Sequence, residues 1–192
     1  MILLEGQHVR LEPLSFDHLD GLCEFGLDED LWRLTTIQVR TPDDMRVFIE
    51  DALRQEKEGT VIPFATVENA TGRVVGSTRY LNMDLNNRRV EIGSTWVARP
   101  WQRTVVNTEA KYLMLRHAFD TMACLRVELK TDALNERSRK AILRLGATEE
   151  GIFRKHMVVA GGRIRDTIYF SIIDSEWPAV RAELERKLAR VY

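Results

Sequence analysis

Cysteine is nearly absent: Cys23 and Cys124 are the only two in 192 residues. Two isolated thiols make neither a disulfide framework nor a zinc site, and they read as reduced, partly buried side chains. Long apolar runs are missing too. Nothing approaches the roughly 20 residues of a membrane span. The opening MILLEGQHVRLEP meets a charge at Glu5, which excludes the apolar core of a signal peptide. No excess of one charge exists: 28 Lys+Arg against 29 Asp+Glu leave a net charge of −1. General nucleic-acid binders carry a basic surplus. Neither nucleic acid nor a membrane is therefore an expected partner, and no motif suggests a metal. No repeat and no linker rich in Pro, Gly or Ser divides the chain. With 44% hydrophobic and 30% charged residues, it reads as one soluble domain over 1–192 in a reducing, cytoplasmic setting.

Apolar periodicity and turn residues predict the elements. A strand over 7–14 is followed by a helix around 16–26 that Ser15 can cap. Thr41-Pro42-Asp43-Asp44 starts a helix that runs to about Lys57 and stops at Gly59. Strands follow over 62–68, 73–82 and 89–98, with polar turns between them. A helix is predicted over 108–122, with Glu109, Arg116, His117 and Asp120 on its polar face. Lys111 falls in its apolar arc, and either snorkels outward or faces a ligand. A strand over 125–131, a helix capped by Asn135 and ended by Gly146, and strands over 147–159 and 166–174 complete the sheet. An appended helix fills 176–190 of the closing segment 176–192, with Trp177, Val180, Leu184 and Leu188 in one stripe. That stripe covers either its own domain or a second copy, which leaves a homodimer possible. The expected class is α/β: a mixed, mostly antiparallel sheet with helices on both faces.

Two stretches hold candidate chemistry. The chain leaves Trp96-Val97-Ala98 and turns through Arg99 to Asn107 into Thr108. A helix N-terminus offers unpaired N–H groups and partial positive charge to an anion. Arg103, Thr104 and Thr108 add a charge and two hydroxyls. The competing reading is an ordinary strand-to-helix connection with a threonine cap. Asn135-Glu136-Arg137-Ser138 opens the next helix, and Asn135 and Ser138 share a face of its first turn.

These motifs, with Val90-Glu91-Ile92-Gly93, Leu145-Gly146-Ala147 and Asp166 to Ser171, resemble the GNAT (GCN5-related) N-acetyltransferase superfamily. The likeness covers about 7–175, and within it the RimJ/RimL-like branch that acetylates ribosomal-protein N-termini. The resemblance implies acetyl-CoA as co-substrate. It implies a pyrophosphate held by the loop and helix start at Gln102, Arg103, Thr104, Val105, Val106, Asn107 and Thr108. It further implies that the strand carrying Trp96 and Val97 splays from its neighbour to pair with pantetheine, and that Asn135 and Ser138 face that arm. Val105 and Asn107 stand where this branch usually has small residues. Val accepts a positive φ badly.

An α-amine with a pKa near 8 needs only a modest base. Glu91 is the candidate base, sharing a face with Gly93 and Thr95 by strand alternation. Its competing role is an ion pair with Arg88 or Arg89. His117, read as solvated, and His156 are weaker candidates. The Val97 N–H is the expected oxyanion donor, and Ser138, then Tyr169, the donor to the leaving thiolate. The acceptor is a protein N-terminus or a small amine, seated between the 16–40 region, with its apolar Leu31-Trp32-Arg33-Leu34, and the 156–168 hairpin. A non-catalytic module that binds acetyl-CoA is the alternative from another class.

Overall fold

The computed structural model describes residues 2–190. Eight strands form one sheet: β1 (Leu4–Glu5), β2 (Val9–Pro13), β3 (Ile62–Glu68), β4 (Val74–Asp84), β5 (Arg89–Val97), β6 (Arg126–Asp132), β7 (Thr148–Val158) and β8 (Ile164–Ile173). Their order is β1-β2-β3-β4-β5-β6-β8-β7. Only the β5–β6 pair is parallel, as a connection through a helix allows. The other neighbours are antiparallel.

Six helices cover the sheet: α1 (Leu19–Gly26), α2 (Glu29–Trp32), α3 (Pro42–Lys57), α4 (Val105–Arg116), α5 (Glu136–Arg144) and α6 (Trp177–Leu188). Leu22 of α1, Trp32 of α2 and Met45, Phe48 and Ile49 of α3 bury Ala65 and Trp96 on one face. Leu113, Met114 and Leu115 of α4, Ile142 of α5 and Trp177 of α6 bury Phe64, Tyr80, Val90 and Ile92 on the other.

Several expectations shift. β1 and the four-residue α2 carry too few residues for a periodic signal, and neither was predicted. The helix expected from 108 begins at Val105, because Thr104 is its cap and accepts from the Val106 N–H at 3.3 Å. The stripe on α6 packs within its own chain. Trp177 stacks on Phe119 at 5.3 Å between centroids, and its indole N–H donates to Asp120 at 2.8 Å. The last two residues of the predicted 176–192 segment, Val191 and Tyr192, lie outside the described residues.

Candidate active site

The β5–β6 pairing ends almost as it begins. It joins only Arg89, Val90 and Glu91 to Arg126, Val127 and Glu128. Beyond Glu91 the two strands part and leave a gap. β5 also bulges there: Gly93 and Trp96 pair with Arg79 and Ser77, so Ser94 and Thr95 together oppose Thr78. Ser94 takes φ 45° to make the bend.

The bulge resets the alternation. Val90 and Ile92 face α4, and Glu91 and Gly93 face away. After the extra residue Thr95 turns toward α4, where its hydroxyl lies 2.8 Å from that of Thr78. Glu91 therefore does not share a face with Thr95. Trp96 goes to the opposite core, 5.8 Å from Trp32 between centroids. Its side chain is buried there and its backbone pairs with Ser77, so Trp96 does not line the gap as expected. Val97 does. The Ala98 N–H bonds to the Val75 carbonyl at 2.8 Å. Alternation along the ladder then points the Val97 N–H and carbonyl into the gap. Gln102 Nε2 takes that carbonyl at 2.8 Å.

Glu91 is buried. Its Oε2 accepts from Asn82 Nδ2 at 2.9 Å and pairs with Lys130 Nζ at 3.1 Å. The cation is Lys130, not Arg88 or Arg89. Arg88 donates to the Ala123 carbonyl, while Arg89 pairs with Asp84 and Glu128. Strand register decides this: Lys130 lies two residues beyond Glu128, on the same face of β6, and Glu128 is the residue beside Glu91. Glu91 Oε1 is buried and has no hydrogen-bond partner among the described residues. A Cβ at Gly93 would stand 3.0 Å from that oxygen, so the glycine leaves it open. Tyr169, half-buried, places its ring 5.7 Å from Lys130 Nζ.

At the mouth of the gap a cleft of about 600 Å³ joins the loop before α4 to the start of α5. Arg33, Arg103 and Arg137 line it and have no carboxylate partner among the described residues. Arg137 bridges the two sides by donating to Gln102 Oε1 at 2.8 Å. Asn135 caps α5 by accepting the Ser138 N–H at 3.0 Å. The family model for the acetyltransferase (GNAT) domain matches residues 8–148, which carry this arrangement apart from Tyr169.

The chain belongs to the GNAT acetyltransferase family.

It is similar to the solved GCN5-related N-acetyltransferase from Brucella melitensis: 34% identity, a TM-score of 0.91, and coverage of 98% of this chain and 86% of that one. It is also similar to YdaF of Bacillus subtilis, named as a candidate ribosomal N-acetyltransferase. That match is 32% identical over 106 residues, 55% of this chain and 57% of the relative. Mycobacterium smegmatis RimJ, solved with CoA-disulfide, shares the fold: 22% identity, a TM-score of 0.79, and coverage of 93% and 88%. As a GNAT domain, this chain is an acetyl-CoA-dependent N-acetyltransferase.

The loop before α4 takes a conformation that the sequence obscured. Val105 is the first residue of α4 and therefore helical. The positive φ falls on Arg103 instead, at 64°. Val105 strains nothing, and Asn107 likewise sits within the first turn. Val105 and Asn107 carry N–H groups of the helix start that have no residue four positions back within α4 to bond, while the Val106 N–H is taken by Thr104. Thr108 does not join them. It is buried in the second turn, where its hydroxyl accepts from Arg144 at 2.7 Å.

Other polar residues on α4 and after it also differ from expectation. Glu109 is buried and accepts the N–H groups of Gln7, His8 and Val9 at 2.9, 2.6 and 2.7 Å. His117 is half-buried beside Tyr80 rather than solvated, and burial lowers its pKa. Lys111 is buried against Thr78 and Thr95. His156 is exposed, edge-on to Phe153 at 5.2 Å. Of Leu31-Trp32-Arg33-Leu34, Leu31 and Trp32 are core, and Leu31, Arg33 and Leu34 line the cleft.

Proposed function

We propose that this GNAT domain acetylates a primary amine, and that the amine is a protein N-terminus. The observation that carries the reading is the free oxygen of Glu91, buried beside Gly93 where β5 leaves β6. One carboxylate oxygen is tied to Lys130 and Asn82, so the other is the acceptor for a proton relayed by water. An α-amine, about one tenth neutral at pH 7, asks no more of a base than this. The Val97 N–H supplies the oxyanion donor and Ser138 a hydrogen bond to the leaving sulfur, with Tyr169 second. Gln102, Arg103, Thr104, Val105, Val106, Asn107 and Asn135 would hold the coenzyme at the mouth of the gap. Acetyl-CoA supplies the activated acyl group.

The unpaired arginines of the cleft disfavour a polyamine, the small-molecule acceptor most opposed in charge. YdaF's name supports the ribosomal class. The non-catalytic reading loses its argument, since Val105 fits the helix start.

The test is acetyl-CoA turnover with three acceptors: a ribosomal-type N-terminal peptide, the same peptide Nα-blocked but bearing a lysine, and spermidine. Turnover confined to the first supports the proposal. Turnover of spermidine alone overturns the acceptor, and none with tight acetyl-CoA binding returns the non-catalytic module. Glu91→Gln should lower kcat/KM at least 100-fold, by the usual size of a general-base contribution.

A further inference from the structure

Lys111 is the one lysine of the core that the chemistry above leaves unused. It is 5% exposed and does not snorkel. No carboxylate lies within ion-pair distance of it among the described residues. Its amine meets only two hydroxyls, Thr78 Oγ1 at 3.0 Å and Thr95 Oγ1 at 2.5 Å. A buried ammonium without a counter-charge is costly, and methionine would fill the same space without that cost. The two hydroxyls are not equivalent. Thr78 is buried, whereas Thr95 is exposed on the bulge, at the edge of the gap between β5 and β6. Lys111 therefore stands one hydroxyl away from the gap.

We propose that Lys111 is a positioning residue that directs the Thr95 hydroxyl proton into the gap, toward the sulfur that departs during acetyl transfer. The inference rests on the acetyltransferase reading above. As an ammonium, Lys111 donates to both threonine oxygens and turns the Thr95 proton away from itself, where the Gly93 carbonyl at 3.3 Å accepts it until a sulfur enters the gap. As a neutral amine, its lone pair competes for that proton. In the step itself the acceptor nitrogen bonds to the acetyl carbon and the C–S bond breaks, its electron pair leaving on sulfur. Thr95 gives its proton to sulfur, and the Lys111 ammonium reprotonates Thr95. The acceptor's own proton passes through water to Glu91. Lys111 ends neutral and regains a proton from solvent. Ser138 supplies a hydrogen bond to the same sulfur, and Lys111 with Thr95 the proton.

The surroundings suit such a relay. Thr78 and Tyr80 of β4 and Thr95 of β5 face Lys111's side of the sheet, and the Tyr80 hydroxyl is committed to the Met114 carbonyl at 2.6 Å. Of the charged groups on those strands, Arg79 and Glu91 are held by Phe48 and by Asn82 and Lys130, and Asp84 and Arg89 pair with each other at the far end of the two strands. On α4, Glu109 is tied to the β1–β2 turn, Arg116 lies over Tyr112, and Arg144 of α5 reaches only Thr108. Burial alone lowers the Lys111 pKa, from 10.5 to about 7, so both forms are populated at neutral pH.

The experiment is an NMR titration of 13Cε-labelled lysines in the intact protein, free and saturated with CoA, with Lys111→Met used to assign the resonance. The expected result is a midpoint near 7 that moves upward when the CoA thiol occupies the gap. In Thr95→Val, CoA should still bind by calorimetry, and the midpoint should stay put. With acceptor, Lys111→Met should lose about tenfold or more in kcat at unchanged KM for acetyl-CoA, and Lys111→Arg should extend the active range to higher pH. CoA binding that leaves the Lys111 midpoint unmoved, or a loss confined to KM, overturns this inference alone. Failure of CoA to bind overturns it together with the acetyltransferase reading.

Discussion

Three backbone N–H groups converge on one buried carboxylate, that of Glu109, and close the turn between β1 and β2 against α4. Gln would keep the shape but lose charge-assisted bonds; Ala would leave three donors bare. Glu109→Ala should cost about 3 kcal/mol in urea unfolding. Lys111 works in the opposite direction. Its pKa falls from 10.5 to about 7 on folding. Between those values the unfolded chain binds a proton the folded chain does not, so stability rises with pH across that window. Below it the folded chain bears the full penalty. Lys111→Met should therefore raise Tm by about 5 °C at pH 6, a gain that fades toward pH 10. At this scale the sequence was least legible. Glu109 and Lys111 are a helical partner and a surface snorkel until long-range contacts assign them. The Glu91 ion pair depends on a register between strands about 40 residues apart, and only the presence of a cation nearby could be foreseen.

At the scale of the element, α4 shows how one cap moves a site. Thr104 and Thr108 are both plausible starts four residues apart, and local pattern does not choose between them. The bond from the Val106 N–H to Thr104 does. Thr104→Ala should cost about 1 kcal/mol of stability and weaken acetyl-CoA binding in calorimetry. Val105→Gly should not improve binding. It should lower stability by about 0.5–1 kcal/mol, because glycine only adds disorder to a helical position. Most of the other elements were readable, since caps and alternation are local signals: Thr41 before α3, Asn135 before α5, Leu125 to Thr131 for β6. The bulge at Ser94–Thr95 was not, because nothing in Ile92 to Trp96 advertises an extra residue. That bulge put Trp96 in the core and Thr95 beside Lys111.

For the whole molecule, the mixed sheet and its helices on both faces were legible from element order, and the parallel β5–β6 pair from the helix between them. The destination of α6 was not, since its stripe fits its own domain or a second copy equally well. Its packing on α4 predicts that Trp177→Ala loses about 3 kcal/mol, measured by thermal melting. Among the described residues no helix is long and apolar enough to cross a membrane.

β8 lies between β6 and β7, although it follows both in the chain. β6 is one wall of the gap, and on its other side only β8 holds it. During synthesis that wall has no second neighbour until residue 173 has emerged. A ribosome-bound fragment ending after β7 would present β1 to β5 paired, β6 held by its short β5 contact alone and β7 without a partner, and should not be retained on immobilised CoA. The enzyme thus reaches its substrate-binding form late in its own translation, and long-range pairing makes that last step slow.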